Sequence, residues 1–238
     1  MIRFRYESEV VERFPAINAA VVHLTGARNG PSPPALRDAF VAAQSRALEH
    51  IGDTALSDIP SLAAWRRAFT AFGVKPTQYR NSAEALARRL TKTGSIPSIN
   101  LLVDVANLLA VRHALPCAVF DQAPVTGHTT VRFATGDERF TDIATGQRSD
   151  PEPGEVVFVD RAGLVSARRW CWRQSLESAA GHGISEALIT VEALHDGAAD
   201  AVGDALEDLL ALLGAHQPDA EMCVALLSAG DAVFDCTH

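Results

Sequence analysis

The chain has 238 residues, 47% of them hydrophobic and 21% charged, which is enough to bury the core of one large domain or two small ones. Its 21 Lys and Arg against 29 Asp and Glu give a net charge of −8, which taken alone argues against a nucleic-acid partner. The longest apolar stretches are far shorter than the roughly 20 residues that a membrane-spanning helix needs, so no membrane partner is expected.

The first part of the chain is predicted to form two strands and a helix. Residues 2–6 alternate apolar and polar side chains, and residues 16–24 form an apolar run, as is typical of strands. After the breaker sequence Gly30-Pro-Ser-Pro-Pro34, the spacing of apolar residues predicts a helix over 35–51.

Three more helices are predicted before residue 116. Residues 61–72 and 82–92 show helical spacing, and Asn81 is placed to cap the second of these helices, with Glu84 three residues later. A further helix is predicted over 100–112. It is mostly apolar but carries a polar stripe of Asn100, Asp104 and Asn107, which is either structural or part of a binding pocket.

The remainder of the chain favours strands, followed by one helix and a last apolar segment. The helix is predicted over 199–213 and the apolar segment over 222–227. Helices followed by strands indicate an α+β class. Six short segments rich in Val, Phe and Thr are predicted as strands of an antiparallel or mixed sheet: Cys117–Phe120, Thr129–Ala134, Arg139–Ile143, Glu155–Val159, Leu164–Trp170 and Leu188–Leu194.

The four cysteines are far apart in the sequence, and no two of them form a C-x-x-C motif. This spacing predicts buried thiols rather than a disulfide framework or a zinc site. They are Cys117, Cys171, Cys223 and Cys236. The first residues include no apolar segment typical of a secretory signal, so a cytoplasmic location is expected. The sequence also lacks a Walker phosphate loop, a G-x-S-x-G nucleophile elbow and an H-E-x-x-H metal helix.

The charge is distributed unevenly along the chain. Residues 1–59, 60–175 and 176–238 have net charges of −1, +5 and −12, and the last of these regions contains no Lys or Arg. Within the middle region, residues 60–92 carry seven basic side chains against one acid, Glu84. This basic segment is either a solvated helix surface or a surface that faces nucleic-acid phosphates, and in the second case the acidic region is expected to face away from them.

Several motifs, in order and at family-like spacing over about residues 60–195, resemble one known family. They are Phe72-Gly-x-Lys-Pro-x-x-Tyr-Arg-x-Ser-x-Glu-Ala-Leu-x-Arg-Arg89, Ile96-Pro-x-x-Asn100, Val103-Asp-x-x-Asn107, Val131-Arg132, Gly136-x-Glu138 and Arg169-Trp-x-Trp-Arg173. Together they resemble the B3/B4 domain, the tRNA-editing domain of the phenylalanyl-tRNA synthetase beta subunit, in a stand-alone form.

The resemblance implies a three-layer β/β/α sandwich and a trans-editing aminoacyl-tRNA deacylase, which hydrolyses the ester of a wrong or non-protein amino acid on tRNA. A single B3/B4-like domain is expected over 1–238, with its best-matching core at 60–195, N-terminal strands and a helix at 1–59, and an acidic extension at 196–238. Because an aminoacyl ester is already activated, hydrolysis requires a positioned water and hydrogen-bond donors rather than a metal or another cofactor. A monomer is expected.

The residue assignments follow the motifs and the basic segment. The resemblance places the pocket acid at Glu138 and its helix signature at Asn100, Asp104 and Asn107. Predicted catalytic residues are Glu138, Asn100 and Asp104; predicted substrate-binding residues are Asn107, Arg132, His128 and Tyr79; predicted tRNA-binding residues are Arg80, Arg88, Arg89 and Lys92; Trp170 and Trp172 either pack or stack on a base. The sequence leaves two alternative functions open, a non-catalytic tRNA- or RNA-binding module and a protein that binds a free amino acid or related metabolite.

Overall fold

The computed structural model describes residues 2–236, which form ten strands and six α-helices. The strands are β1 (Ile2–Tyr6), β2 (Asn18–Thr25), β3 (Cys117–Asp121), β4 (Thr129–Phe133), β5 (Val156–Val159), β6 (Val165–Arg168), β7 (Arg173–Gln174), β8 (Glu186–Ala193), β9 (Glu221–Ser228) and β10 (Val233–Asp235). The helices are α1 (Ser8–Arg13), α2 (Pro34–Ile51), α3 (Pro60–Ala71), α4 (Ser82–Thr93), α5 (Leu101–His113) and α6 (Ala198–His216).

The strands form two sheets. The large sheet has the order β10-β1-β4-β5-β6-β7, with β1 and β4 parallel and its other neighbours antiparallel. The small sheet has the order β3-β8-β2-β9 and is antiparallel throughout. The first and last described strands are therefore neighbours in one sheet.

Aromatic side chains fill the space between the two sheets. Phe158 of the large sheet lies 5.3 Å from Phe120 of the small sheet and 5.8 Å from Phe4, measured between ring centroids. Trp170 is fully buried and meets Trp65 edge to face at 5.0 Å. Such pairs add roughly 0.5–1.5 kcal/mol each to the stabilisation from apolar burial.

Helices α2, α4, α5 and α6 cover the outer face of the small sheet and complete the predicted β/β/α sandwich. Val10 of α1 and Trp65 and Phe69 of α3 belong instead to the core between the two sheets. In β2, Ala20 and Val22 pack against the helical layer, whereas Ala19 and Val21 face the large sheet. Burial on both faces explains why β2 reads as a continuous apolar run. Helix α5 contacts α2, α4 and α6, so it occupies the middle of the helical layer.

The predicted helix and strand positions agree with the structure except around Arg139–Ile143, which is not a strand. Its residues make isolated bridges, for example from Asp142 to Ser175, because the turn-rich segment wraps over the outer face of the large sheet. There it buries Phe140 against Val157. The sequence also gave no signal for α1, β7 or β10, which are six residues or shorter.

The prediction that all four cysteines are thiols is wrong for Cys223 and Cys236. These two form a disulfide with a Cα–Cα distance of 6.1 Å, across 13 residues of sequence. The bond joins β9 of the small sheet to the chain just after β10 of the large sheet. Cys117 and Cys171 are free.

Candidate functional site

A cavity of about 210 Å³ lies at the β3 and β7 side of the sandwich, where α4 and α5 also approach. A typical pocket for a drug-sized ligand measures about 300–1,000 Å³, and one water takes up about 30 Å³ of liquid. The cavity therefore has room for a group the size of an amino acid. Its lining includes Ser82, Asn107, Cys117, Phe120, Phe158, Trp170, Cys171, Trp172, Arg173, Gln174, Thr190 and Glu192.

Glu192 is the buried carboxylic acid of this cavity. It lies on β8, a central strand of the small sheet, with its side chain 2% exposed on the face toward the large sheet. Its Oε1 accepts hydrogen bonds from Tyr6 Oη at 2.6 Å and from Trp170 Nε1 at 2.8 Å. Within residues 2–236 no donor is bonded to Oε2, which leaves that oxygen available to a molecule in the cavity.

Burial raises the pKa of Glu192 from 4.5 to about 7, because the ionised form loses its hydration. The hydrogen bonds donated by Tyr6 and Trp170 act in the opposite direction and are the weaker influence. Near neutral pH the carboxyl group is therefore present in both protonation states. It can accept a hydrogen bond from an ammonium or hydroxyl group, or donate one to a carbonyl oxygen.

The two cysteines of the cavity are not activated nucleophiles. Burial raises the pKa of Cys117 to about 12, and burial together with the nearby charge of Glu192 raises the pKa of Cys171. The thiolate is the reactive form of cysteine, and it is scarce at neutral pH in both side chains. Covalent catalysis through either sulfur is therefore disfavoured.

A cluster of arginine and aromatic side chains forms the rim of the cavity. The guanidinium group of Arg169 lies over the ring of Tyr79 at 4.0 Å and near the ring of Trp172 at 4.9 Å. Arg173 approaches Trp172 at 5.0 Å, and Tyr79 meets Trp172 edge to face at 4.8 Å. Stacked guanidinium groups and aromatic rings are the usual contacts for unpaired nucleic-acid bases. We call Tyr79, Arg169, Trp172 and Arg173 the rim cluster.

The backbone at the rim adopts a conformation that non-glycine residues rarely take. Arg169 and Trp170 have φ values of 44° and 58°, so two consecutive residues lie in the left-handed region. This turn lies between β6 and β7; Trp170 is wholly buried and Trp172 only partly buried. An ion pair of 2.9 Å between Arg169 and Glu155 helps to fix it. Strain of this kind concentrates at binding sites, where neighbouring packing maintains it.

Among the residues predicted from sequence, Asn107 lines the cavity and Tyr79 belongs to the rim cluster. Asn100 caps α5 instead, accepting a hydrogen bond from Val103 N at 3.0 Å and donating one to Ala180 O at 2.9 Å. Asp104 is fully buried and receives hydrogen bonds from Ser32, Ser98 and Ile99 N. Both side chains brace the start of α5.

The capping role of Asn100 gives a direct prediction. Asn100→Ala is expected to lower the free energy of unfolding by about 1 kcal/mol, whereas Asn100→Ser keeps most of it because serine also caps helices well. Urea denaturation of the three proteins measures the difference. An Asn100→Ala variant that is as stable as the wild type would contradict this capping role.

Glu138 lies outside the lining of the cavity, in the connection between β4 and β5. Its carboxylate is 1% exposed and accepts hydrogen bonds from Arg132 at 2.6 Å, Thr135 N at 2.9 Å and Gly136 N at 2.8 Å. Desolvation opposes these bonds, but the two backbone donors and Arg132 together lower its pKa to about 2. The Glu138 carboxylate is thus occupied by Arg132 and by backbone donors. The catalytic assignment of Glu138 stays a prediction.

The remaining predicted residues lie on other surfaces. Desolvation and the charges of Arg5 and Arg161 lower the pKa of His128. Arg80 donates a hydrogen bond to Thr77 O at 2.6 Å and lies 3.6 Å from Glu84. The other predicted tRNA-binding residues, Arg88, Arg89 and Lys92, are exposed on α4.

The acidic C-terminal region is not a separate tail. It supplies β8, near the centre of the small sheet, and α6, which shares the helical layer with α4. Asp208 of α6 binds Arg112 of α5 at 2.5 Å through both carboxylate oxygens. The expected separation of basic and acidic surfaces therefore applies at most to the exposed faces of these helices.

Glu192 and its two donors are not among the binding and catalytic residues predicted together from the sequence. A sequence signal existed, because Glu192 is the only charged residue between Ala187 and Leu194, an otherwise apolar strand. An acid placed inside such a strand is either at an exposed edge or buried with a partner. The partners come from distant parts of the chain, Tyr6 and Trp170, so only the folded structure identifies them.

The chain matches the model of a known protein family. A family model described as the B3/4 domain matches residues 64–202, more than half of the chain. The chain belongs to the B3/4 domain family. All residues that line the cavity fall within the matched part of this B3/4 protein. A larger cavity, of about 540 Å³, lies in the helical layer. Its walls are mainly apolar, and about half of its lining residues lie outside the match.

Among solved structures, the B3/4 protein is similar to an N-terminal fragment of the phenylalanyl-tRNA synthetase beta subunit from Pyrococcus horikoshii. The TM-score is 0.46 at 10% identity, and the match covers 92% of this chain and 50% of that fragment. The chain thus spans about half the length of the protein it matches. No curated protein matches. Within residues 2–236 no helix is long and apolar enough to cross a membrane.

Proposed function

We propose that this protein is a trans-editing aminoacyl-tRNA deacylase of translation quality control. The observation that carries the proposal is the position of Glu192, a buried carboxyl group inside an amino-acid-sized cavity of a B3/4 domain. In this proposal the cavity receives the amino acid and the rim cluster receives the terminal nucleotide. The chemistry of these groups and the membership of the chain in the B3/4 domain family support this proposal.

The reaction requires little from the protein beyond positioning. Water attacks the carbonyl carbon of the ester, the bond from that carbon to the ribose oxygen breaks, and the ribose leaves with a hydroxyl group. Glu192 is proposed to bind the ammonium group or a polar side chain of the amino acid. Thr190 and Asn107, which also line the cavity, are proposed to orient water or to donate to the developing oxyanion.

The rim cluster is proposed to bind the 3′ end of the tRNA. A terminal base is proposed to stack on the part of the Trp172 or Tyr79 ring that the guanidinium groups of Arg169 and Arg173 leave uncovered. Arg173 supplies a positive charge for a phosphate. Stacking on an aromatic side chain contributes about 1–3 kcal/mol per base and tolerates any base. Specificity for the substrate would then come from the cavity, and affinity from the rim cluster and the basic surface.

The exposed basic residues of α4 give a prediction about tRNA binding. Replacing Arg88, Arg89 and Lys92 by alanine is expected to weaken binding of all tRNAs and to reduce the slope of log affinity against log salt by up to about 3. Salt titrations by fluorescence anisotropy measure the slope. Arg148→Ala, an exposed arginine on another segment, is the control. An unchanged slope in the triple variant would remove α4 from the tRNA surface.

The proposed activity is tested by a panel of mischarged tRNAs carrying aromatic, basic and non-protein amino acids. We expect accelerated deacylation of at least one of them by the purified protein. A second candidate, tRNA binding without hydrolysis, is favoured by the absence of histidine from the described residues that line the cavity. Salt-dependent binding with no deacylation across the panel would support that candidate; binding of a free amino acid in calorimetry, with no tRNA binding, would support a metabolite-binding protein.

Two further proposals accompany the function. We propose that residues 1–238 act as a single domain, which is supported by the pairing of β1 with β10, the first and last described strands. We also propose a cytoplasmic site of action, where aminoacylated tRNA is present. No cofactor enters the proposed reaction.

A further inference from the structure

Four of the eight large apolar side chains that are exposed in the described part of the chain lie at one edge of the sandwich. Met222, Val224 and Leu226 on β9 are 36%, 39% and 54% exposed, and Val233 on the adjacent β10 is 45% exposed. On β9 they alternate along the strand and therefore share one face. Met222, Val224 and Leu226 pair with Leu24, Val22 and Ala20 of β2. The helical layer packs on these residues of β2, but it does not extend over β9.

Strand β9 is also the terminal strand of the small sheet. Eight residues pair with β2 without a register shift, and no described strand pairs with the opposite side of β9. Natural edge strands are normally protected by lysine, proline or a bulge. The segment Glu221–Ser228 has none of these, since it contains no basic residue and no proline. A regular, apolar, unprotected edge is a template for another strand.

We propose that β9 pairs with β9 of a second copy of this chain, forming a two-fold symmetric dimer with a continuous sheet. The sequence of the strand is self-complementary under this symmetry. An antiparallel pair centred on Val224 places Val224 opposite Val224 and Met222 opposite Leu226, so the two apolar stripes coincide. Both unpaired backbone edges are satisfied at the same time.

The charges of the strand permit this pairing. Glu221 is the only charged residue of β9, and it would lie opposite Leu227 of the second copy. The two Glu221 side chains would be separated by about six residues, roughly 20 Å, which exceeds the screening length of about 8 Å at physiological salt. The net charge of −8 on each copy opposes association at long range, so added salt is expected to favour the dimer.

The proposed dimer leaves the cavity open. The cavity is lined by residues of β3 and β8 and by the β6 to β7 region, whereas β9 and β10 form the opposite edge of the sandwich. The dimer is therefore independent of the proposed deacylase activity. A dimer was not expected from the sequence. Apolar residues at every second position of a short segment are also typical of a strand that buries one face within its own chain.

Sedimentation velocity over a hundredfold range of protein concentration tests the proposal. We expect conversion from 25.4 kDa to twice this mass as concentration rises, with a larger dimer fraction at high salt. Leu226→Lys is expected to remain monomeric, and Val41→Lys, which alters an exposed apolar residue on α2, is expected to dimerise like the wild type. A wild type that is monomeric throughout, or a dimer that Leu226→Lys leaves intact, would overturn the proposal.

A cross-link provides a second test that does not depend on the folding of a charged variant. Directly opposite residues in an antiparallel pair have Cα atoms about 4.5–5.5 Å apart, within the range of a disulfide. Val224→Cys is therefore expected to form a covalent dimer on mild oxidation, visible on a non-reducing gel. Val41→Cys is the control. Equal cross-linking of the two variants, or none in Val224→Cys, would contradict the proposed pairing.

Discussion

Replacing Glu192 by glutamine is expected to lower kcat/KM for deacylation by about one to two orders of magnitude. Glutamine retains an oxygen that accepts the hydrogen bonds of Tyr6 and Trp170, but it replaces the carboxylate oxygen available to the substrate with an amide nitrogen. The substrate then loses a hydrogen bond to a charged group, which contributes about 1.5–3 kcal/mol, and each 1.36 kcal/mol corresponds to a factor of ten. Single-turnover assays on the best substrate of the panel measure this loss.

Glu138→Gln is the matched control for that experiment, because it makes the same chemical change in the acid that the sequence motif favoured. Its carboxylate is occupied by Arg132 and backbone donors. We expect kcat/KM within a few-fold of the wild-type value once the folded fraction is corrected for. A larger loss in Glu138→Gln than in Glu192→Gln would return the catalytic role to Glu138.

The second large effect is on stability as a function of pH. The folded-state pKa of Glu192, about 7, lies above its ordinary value of 4.5, so the folded protein holds this proton more tightly than the unfolded chain. The resulting stabilisation is complete below pH 4.5 and is lost as pH rises through 7. One pKa unit corresponds to about 1.36 kcal/mol, so the difference is about 3 kcal/mol.

Urea denaturation of the wild type and Glu192→Gln at several pH values measures this effect. Relative to the wild type, the variant is expected to gain about 3 kcal/mol of unfolding free energy between about pH 4.5 and pH 8, because glutamine does not ionise. Glu138→Gln is expected to be less stable than the wild type by an amount that stays constant between about pH 4.5 and pH 8 and shrinks only as pH falls from 4.5 towards 2. The reason is that the pKa of Glu138 is lowered to about 2 and its ionised form stabilises the fold. If the difference in unfolding free energy between the wild type and Glu192→Gln does not vary with pH, Glu192 is hydrated in the folded protein.

Local sequence signals predicted the elements that depend on local physics. Asn81 caps α4 by accepting a hydrogen bond from Glu84 N at 2.9 Å, as the spacing of the two residues predicted. The apolar run of β2 predicted a strand, and its burial on both faces was consistent with the three-layer architecture. The β/β/α class itself followed from the resemblance of the motifs, since periodicity alone gave no more than α+β.

Features that depend on distant contacts could not be obtained from the sequence. Glu192 receives hydrogen bonds from residues 186 and 22 positions away, and only the meeting of the two sheets brings them together. Cys223 and Cys236 bond because two strands at the edges of different sheets are adjacent. Asn100 matched the motif, but a polar stripe on a helix does not reveal which of its members caps the helix and which, like Asn107, faces a cavity.

The proposed function requires that the cavity beside Glu192 holds the aminoacyl group of a tRNA. A crystal structure with a non-hydrolysable analogue, adenosine carrying an amide-linked amino acid at its 3′ position, tests it most directly. We predict the amino acid within hydrogen-bond distance of Glu192 and the adenine stacked on Trp172 or Tyr79. An analogue bound beside Glu138, or in the cavity of the helical layer, would contradict the account.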